Sequence, residues 1–209
     1  MQILVLVRHG ASEGNDRSIL TGQLDVPLTF AGRKQAEQAG QTLTSLGIVF
    51  DAAYTSQLQR ARQTLAIMAN QFSMPIPKVL EHEALNERDF GDYAGAIKTS
   101  LQREIGDTEY KRIVKGWHTA APQGESLRDV HLRVVPYFQT VIMGDLAAGK
   151  NVIISSHHQT LRALIKHIEG ITDTEIPTLF IENAMPIFYS YDPATGLLTR
   201  EHHDFPVTT

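Results

Sequence analysis

Leu4-Val5-Leu6-Val7-Arg8-His9-Gly10 decides how the rest of this 209-residue chain reads. Ile3 to Val7 is an unbroken apolar and β-branched run. It is too short for a surface helix and reads as a strand buried on both faces. Arg8 and His9 fall at its carboxyl end, where ligands sit in open parallel α/β sheets. A second stretch repeats the theme: Asn151-Val152-Ile153-Ile154-Ser155-Ser156 runs into His157-His158. A lone histidine on an apolar face is usually a core residue. Two at matching strand ends predict one crevice.

The segments between alternate strand and helix. Thr29 caps a helix carrying Ala36, Ala39, Leu43 and Leu46 at helical spacing, with Gly47 as its stop. Ala52 to Thr55 is a short strand, and Ser56 is placed to cap the next helix, on which Ala61, Leu65, Met68 and Phe72 form the apolar stripe. Arg60 lies in its first turn, beside the strand end; Arg62 competes as a solvated cation. Val79-Leu80 is another short strand. Leu85 to Gly95 is a charged, aromatic, glycine-bearing loop without a period, the kind that carries function. Glu87 is its candidate acid, against the alternative of a loop salt bridge with Arg88. Residues 97–118 read as helical with a break at Gly106, and Glu125 to Met143 as a helix bent at Pro136. Pro186 to Tyr191 is a strand, and Pro193 to Gly196 a hairpin turn. Alternation of this kind predicts an α/β fold: a three-layer α/β/α sandwich with a mostly parallel sheet and right-handed crossovers, in a single domain over 1–209, its tail from about residue 200 irregular.

Composition narrows the function. Apolar content of 42% and charged content of 20% suit a globular protein. A net charge of −4 and a pI of about 6.1 argue against a general nucleic-acid binder, yet leave room for a local cationic pocket. No apolar run approaches the roughly 18–20 residues that span a bilayer. The chain has no cysteine, which excludes disulfides, thiolate catalysis and zinc–thiolate sites. No set of ligands at metal spacing appears; Glu201-His202-His203-Asp204 reads as a polar terminus. With no leader pattern at Met1, the expected compartment is the cytoplasm.

His9, His157, Arg8, Arg60 and Glu87 then make a chemical constellation. Two arginines and two histidines cradle an anion, and the guanidinium fork suits phosphate. A neutral imidazole attacks phosphorus, and a covalent intermediate splits one transfer into two. Neighbouring cations stabilise charge on the equatorial oxygens. A carboxyl beside the leaving oxygen protonates it and later takes a proton back. No metal is required by this scheme.

Arg8-His9-Gly10 with the distant His157 resembles the histidine phosphatase superfamily. More of the chain resembles one branch, the 2,3-bisphosphoglycerate-dependent phosphoglycerate mutases, in a short form. The matching stretches include Leu4 to Gly10, Thr21-Gly22, Asp25-Val26-Pro27-Leu28, Arg60-Ala61, Leu85-Asn86-Glu87-Arg88, Lys98, Gly124-Glu125-Ser126-Leu127, Arg133-Val134 and Leu161-Arg162-Ala163. The resemblance implies phosphohistidine at His9 and a proton donor and acceptor at Glu87. It implies that Arg8, Arg60 and His157 hold the phosphoryl group. Ser12, Asn15, Thr21, Gly22, Arg88 and Lys98 would contact substrate, with Lys115, His158 and Gln159 at the divergent end. It further implies 2,3-bisphosphoglycerate as phosphoryl donor, a small phosphorylated substrate, no nucleic-acid or membrane partner, and a monomer or homo-oligomer, with a dimer favoured.

The chain departs from that branch in places. Where the mutases read His-Gly-Asn, it has His157-His158-Gln159, and His158 would be strained if its backbone needed positive φ. Where they carry paired arginines, it has Val114-Lys115, and lysine is a point charge rather than a fork. The tryptophan usually found before the asparagine is missing from Ala11 to Asn15. Three readings follow: a mutase, a phosphatase using the same site, and a non-catalytic anion-binding module. An acid beside an imidazole argues against the third.

Overall fold

The computed structural model describes residues 1–201; the expected irregular tail lies outside the described residues. Six strands form one sheet in the order β3-β2-β4-β1-β5-β6. They are β1 (Gln2–Arg8), β2 (Ala52–Thr55), β3 (Lys78–Glu81), β4 (Val152–Ser156), β5 (Pro186–Asp192) and β6 (Leu197–Glu201). β3, β2, β4 and β1 pair in parallel, and β5 and β6 close the far edge antiparallel.

β1 is central, and its side chains alternate between two cores as the strand period requires. Leu4 and Leu6 face Tyr54, Ile154 and Tyr189, under a layer of α6 (Leu127–Tyr137), α7 (Met143–Ala147) and α8 (His158–Glu169). Val5 and Val7 face Ala53, Ile153 and Phe188, under α2 (Phe30–Ser45) and α3 (Gln59–Ala69), and a single turn, α1 (Glu13–Asp16), follows β1. The expected three-layer sandwich is what forms. Parallel strands buried on both faces must be apolar throughout, which is why β1 and β4 were legible. β1 and β4 run side by side, with Arg8 opposite Ser156. His9 and His157, the next residues, therefore leave the sheet together.

Details of the helices differ from the expectation. Thr29 caps α2 as expected, accepting from the Gly32 N–H, but Leu46 is exposed beyond the helix end. Leu58, not Ser56, is the cap residue of α3. The helix expected over Glu125 to Met143 is three pieces: α6, a π-helical segment Phe138–Ile142, and α7. Pro136 has no N–H to give to the preceding turn, and the wider turn follows directly after it. The 97–118 region divides at Gly106, as expected, into α4 (Lys98–Ile105) and α5 (Asp107–Val114). No helix among the described residues is long and apolar enough to cross a membrane.

Candidate active site

His9 sits at the end of β1 and is 4% exposed. Its Nδ1 lies 2.7 Å from the Gly10 carbonyl. A carbonyl only accepts, so Nδ1 carries the proton and Nε2 keeps its lone pair. Burial, then the charges of Arg60 and Arg8, hold this imidazole well below its ordinary range. At neutral pH it is an uncharged imidazole with a fixed tautomer. Gly10 is needed because the chain passes against α2: a Cβ there would lie 2.3 Å from the Gly32 carbonyl oxygen.

His157 packs beside His9, with ring centroids 5.2 Å apart. Its Nε2 shares a 2.6 Å hydrogen bond with Ser56 Oγ. It too is held well below the usual imidazole range, by burial first and Arg60 second. The cations arrive from other elements. Arg8 donates to the Ile181 carbonyl at 2.7 Å and keeps a buried Nε without a partner. Arg60, in the first turn of α3, donates to the Gly22 and Leu24 carbonyls at 2.6 and 2.8 Å. Burial pulls its guanidinium down to about 10, which leaves it charged at neutral pH. Arg62 instead is exposed and pairs with Glu81.

Glu87 is held by a network that the sequence does not advertise. The carbonyls of residues 84–87 each accept from a side chain: Ala84 and Glu87 from Arg133, Leu85 from Ser156, Asn86 from Thr160. Arg133 is itself gripped by Glu125 at 2.8 and 3.0 Å. The Glu87 carboxylate accepts from the backbone N–H groups of Arg88 and Gln159, at 2.9 and 3.1 Å. The Arg88 guanidinium does not close a salt bridge on Glu87. It donates to the Ile113 carbonyl and stacks on Phe90, 4.4 Å from the ring centroid.

These groups open into a cavity of about 520 Å³. Of the expected residues, Arg8, His9, Arg60, Glu87, Ser12, Asn15, Thr21, Gly22, Lys98, Lys115, His158 and Gln159 line it. Arg88 and His157 lie behind its wall, fully buried. The Ser12 N–H and hydroxyl both donate to Asn15 Oδ1 at 2.9 Å. Gln159 borders the cavity with its amide already engaged: Nε2 donates to the Val114 carbonyl and Oε1 accepts from Arg162. His158 has no positive φ, so the feared strain is absent; the residue begins α8 in helical conformation. Its ring meets Phe180 at 5.4 Å. Burial, then Arg8 and Arg162, push it down to about 2.

The sequence did not mark Arg162 or the wall of Ile19, Leu20, Phe90, Tyr110 and Pro177 to Phe180 as cavity lining, whereas Val114, singled out as a departure, does line it. The signals for Arg162 were its place in the matching Leu161-Arg162-Ala163 stretch and its being a cation set among Leu161, Leu164 and Ile165 on a buried helix face. Among the described residues the lining holds five cations, Arg8, Arg60, Lys98, Lys115 and Arg162, against one carboxylate, Glu87. Such a cleft concentrates anions whatever the total charge.

The profile of the histidine phosphatase superfamily (branch 1) matches residues 4–201. The chain belongs to that superfamily. Among its relatives, the 2,3-bisphosphoglycerate-dependent phosphoglycerate mutase of Cytophaga hutchinsonii is 38% identical, over 100% of this chain and 96% of its own. The protein of the same name from Parvibaculum lavamentivorans is 36% identical over 95% of both chains. These relatives place the chain in the mutase branch. A solved mycobacterial glucosyl-3-phosphoglycerate phosphatase complexed with VO3 shares its superfamily fold. That structure has a TM-score of 0.78 at 25% identity and covers 91% of this chain and 93% of its own.

Proposed function

We propose that this protein interconverts 3-phosphoglycerate and 2-phosphoglycerate through a phosphohistidine at His9, primed by 2,3-bisphosphoglycerate. The observation that carries the reading is the neutral His9, its Nε2 left free by the Gly10 carbonyl, on the floor of a cleft with five cations and one carboxylate. That set of donors fits a bisphosphate, which supplies the phosphoryl group that loads His9.

The chain's own residues do the rest. The His9 Nε2–phosphorus bond forms as the phosphorus–oxygen bond breaks. Arg8 and Arg60, with His157 behind His9, take the charge spreading over the phosphoryl oxygens. Glu87, entering this step protonated, gives its proton to the departing oxygen and is left as a carboxylate. In the second half-reaction it takes the proton of the attacking hydroxyl while the nitrogen–phosphorus bond breaks. Lys98 and Lys115 are placed to hold the remaining anionic groups, with Ser12, Asn15, Thr21, Gly22 and the His158–Gln159 turn around them. Tyr110, Val114, Leu179 and Phe180 give the cavity an apolar side. We propose the cytoplasm as its compartment, and a monomer or homo-oligomer, with a dimer favoured, as its assembly.

A phosphatase is the second reading. His158 stands where the branch has glycine and narrows the acceptor end against Phe180, and a phosphatase shares the fold. The deciding experiment supplies 3-phosphoglycerate with catalytic 2,3-bisphosphoglycerate and follows both 2-phosphoglycerate and free phosphate. Isomerisation in excess of phosphate release is expected. Phosphate without 2-phosphoglycerate sinks the mutase reading.

A further inference from the structure

A helix leaves its last carbonyls without partners inside the helix. At the carboxyl end of α5 three consecutive carbonyls take three buried side chains. Ile113 accepts from Arg88 Nη2 at 2.7 Å, Val114 from Gln159 Nε2 at 3.0 Å, and Lys115 from Arg162 Nη2 at 2.8 Å. All three donors cluster about Glu87. Two of them give that carboxylate their backbone N–H.

Arg162 reaches furthest. It is 1% exposed. Nη1 donates to Gln159 Oε1 at 2.6 Å, and Nη2 also donates to the Ile176 carbonyl at 2.6 Å. Its hydrogen-bond partners are all neutral oxygens, a costly way to bury a guanidinium unless the position matters. One planar fork thus joins three pieces of the cavity wall: the start of α8 beside Glu87, the end of α5 that carries Lys115, and the Ile176–Thr178 turn leading to Leu179 and Phe180.

We propose that Arg162 is a positioning residue for the acceptor side of the cavity, setting Lys115 and the 176–180 wall at a fixed distance from Glu87. This rests on the phosphohistidine reading above. His9 and Arg60 are held by other groups, the carbonyls of Gly10, Gly22 and Leu24. Loss of the fork therefore loosens the acceptor's grip more than the loading of His9. Gln159 belongs to the same brace, since both ends of its amide are engaged within it.

The test uses Arg162→Met, Arg162→Lys and Gln159→Leu in the full chain. Loading is read from the nitrophenolate burst with p-nitrophenyl phosphate, whose good leaving group needs little acid. Acceptor use is read from KM and kcat for 3-phosphoglycerate with primer present. Arg162→Met is expected to raise KM by about tenfold or more while the burst rate falls by less than about threefold. Arg162→Lys should recover part of the loss, since it keeps one donor but not the fork. Gln159→Leu should raise KM in the same direction. An unchanged KM in Arg162→Met or Gln159→Leu overturns the proposal. So does a burst that falls in step with turnover in Arg162→Lys. Should the wild type release phosphate instead of 2-phosphoglycerate, the mutase reading fails by itself. The Arg162 comparison is then read on the KM of the ester hydrolysed.

Discussion

The nucleophile we propose, His9, is made so by what surrounds it, and the single-residue consequences are direct. His9→Ala should abolish both isomerisation and the mass gain of one phosphoryl group after mixing with donor. Glu87→Gln should slow transfer from poor leaving groups by about 10²–10⁴, and from p-nitrophenyl phosphate far less. Equal losses on both would count against Glu87 as the acid. Protonation links the site to stability. His9, His157 and His158 are all held down in the folded protein. Below pH about 6.5 the unfolded chain takes up protons that the folded chain refuses. Their contribution is therefore complete above that pH. It is lost as pH falls, by up to about 1.4 kcal/mol per pH unit for each imidazole. Urea unfolding between pH 7.5 and 5 should show this slope, and His158→Gln should reduce it by one proton. A midpoint that does not move over that range would contradict the buried neutral imidazoles.

At the scale of elements, the loop bearing Glu87 owes its shape to distant side chains. Arg133 of α6 ties the carbonyls of Ala84 and Glu87 to Glu125. Arg133→Met would leave those carbonyls without their donor and would leave the Glu125 carboxylate, only 23% exposed, with the Asp89 N–H but no countercharge. A loss of about 2–4 kcal/mol is expected, read from the denaturant midpoint, together with a fall in kcat as Glu87 loses its seat. Full stability and full kcat in that variant would show that the loop holds itself. Here the sequence was only partly readable. Gly124-Glu125-Ser126-Leu127 and Arg133 stood out by resemblance, but nothing in their spacing says that Glu125 grips Arg133 or that Arg133 grips residues 84–87. Pro136 announced a bend, yet nothing in the local sequence specifies the π-helical turn after it, in which Phe138 and Ile142 are buried in the core.

For the molecule as a whole, a net charge of −4 coexists with a cleft of five cations and one acid. The cleft should draw phosphorylated substrates by its local field, and that field is screened by salt. We expect kcat/KM to fall several-fold as ionic strength rises from low to well above physiological, with inorganic phosphate competing more strongly than chloride at equal ionic strength. Steady-state rates across a salt series check this. An insensitive kcat/KM would mean that short-range hydrogen bonds, and not the field, set substrate capture.

What the sequence determined by itself was the frame and the first residues of the site. A strand buried on both faces has to be apolar, so the point where β1 and β4 turn polar marks the sheet's edge. Arg8, His9 and His157 are at that edge by necessity of the chain. Helix periods placed α2 and α3, and Thr29 the start of α2, for the same reason, since each reports the burial of its own element. The tertiary structure alone decided the opposite wall. Arg162 meeting Lys115 and Ile176, Gln159 using up its amide on Val114, and Phe180 closing on His158 are contacts between elements. No local pattern records them, because their energy depends on where two separately legible pieces come to rest against each other.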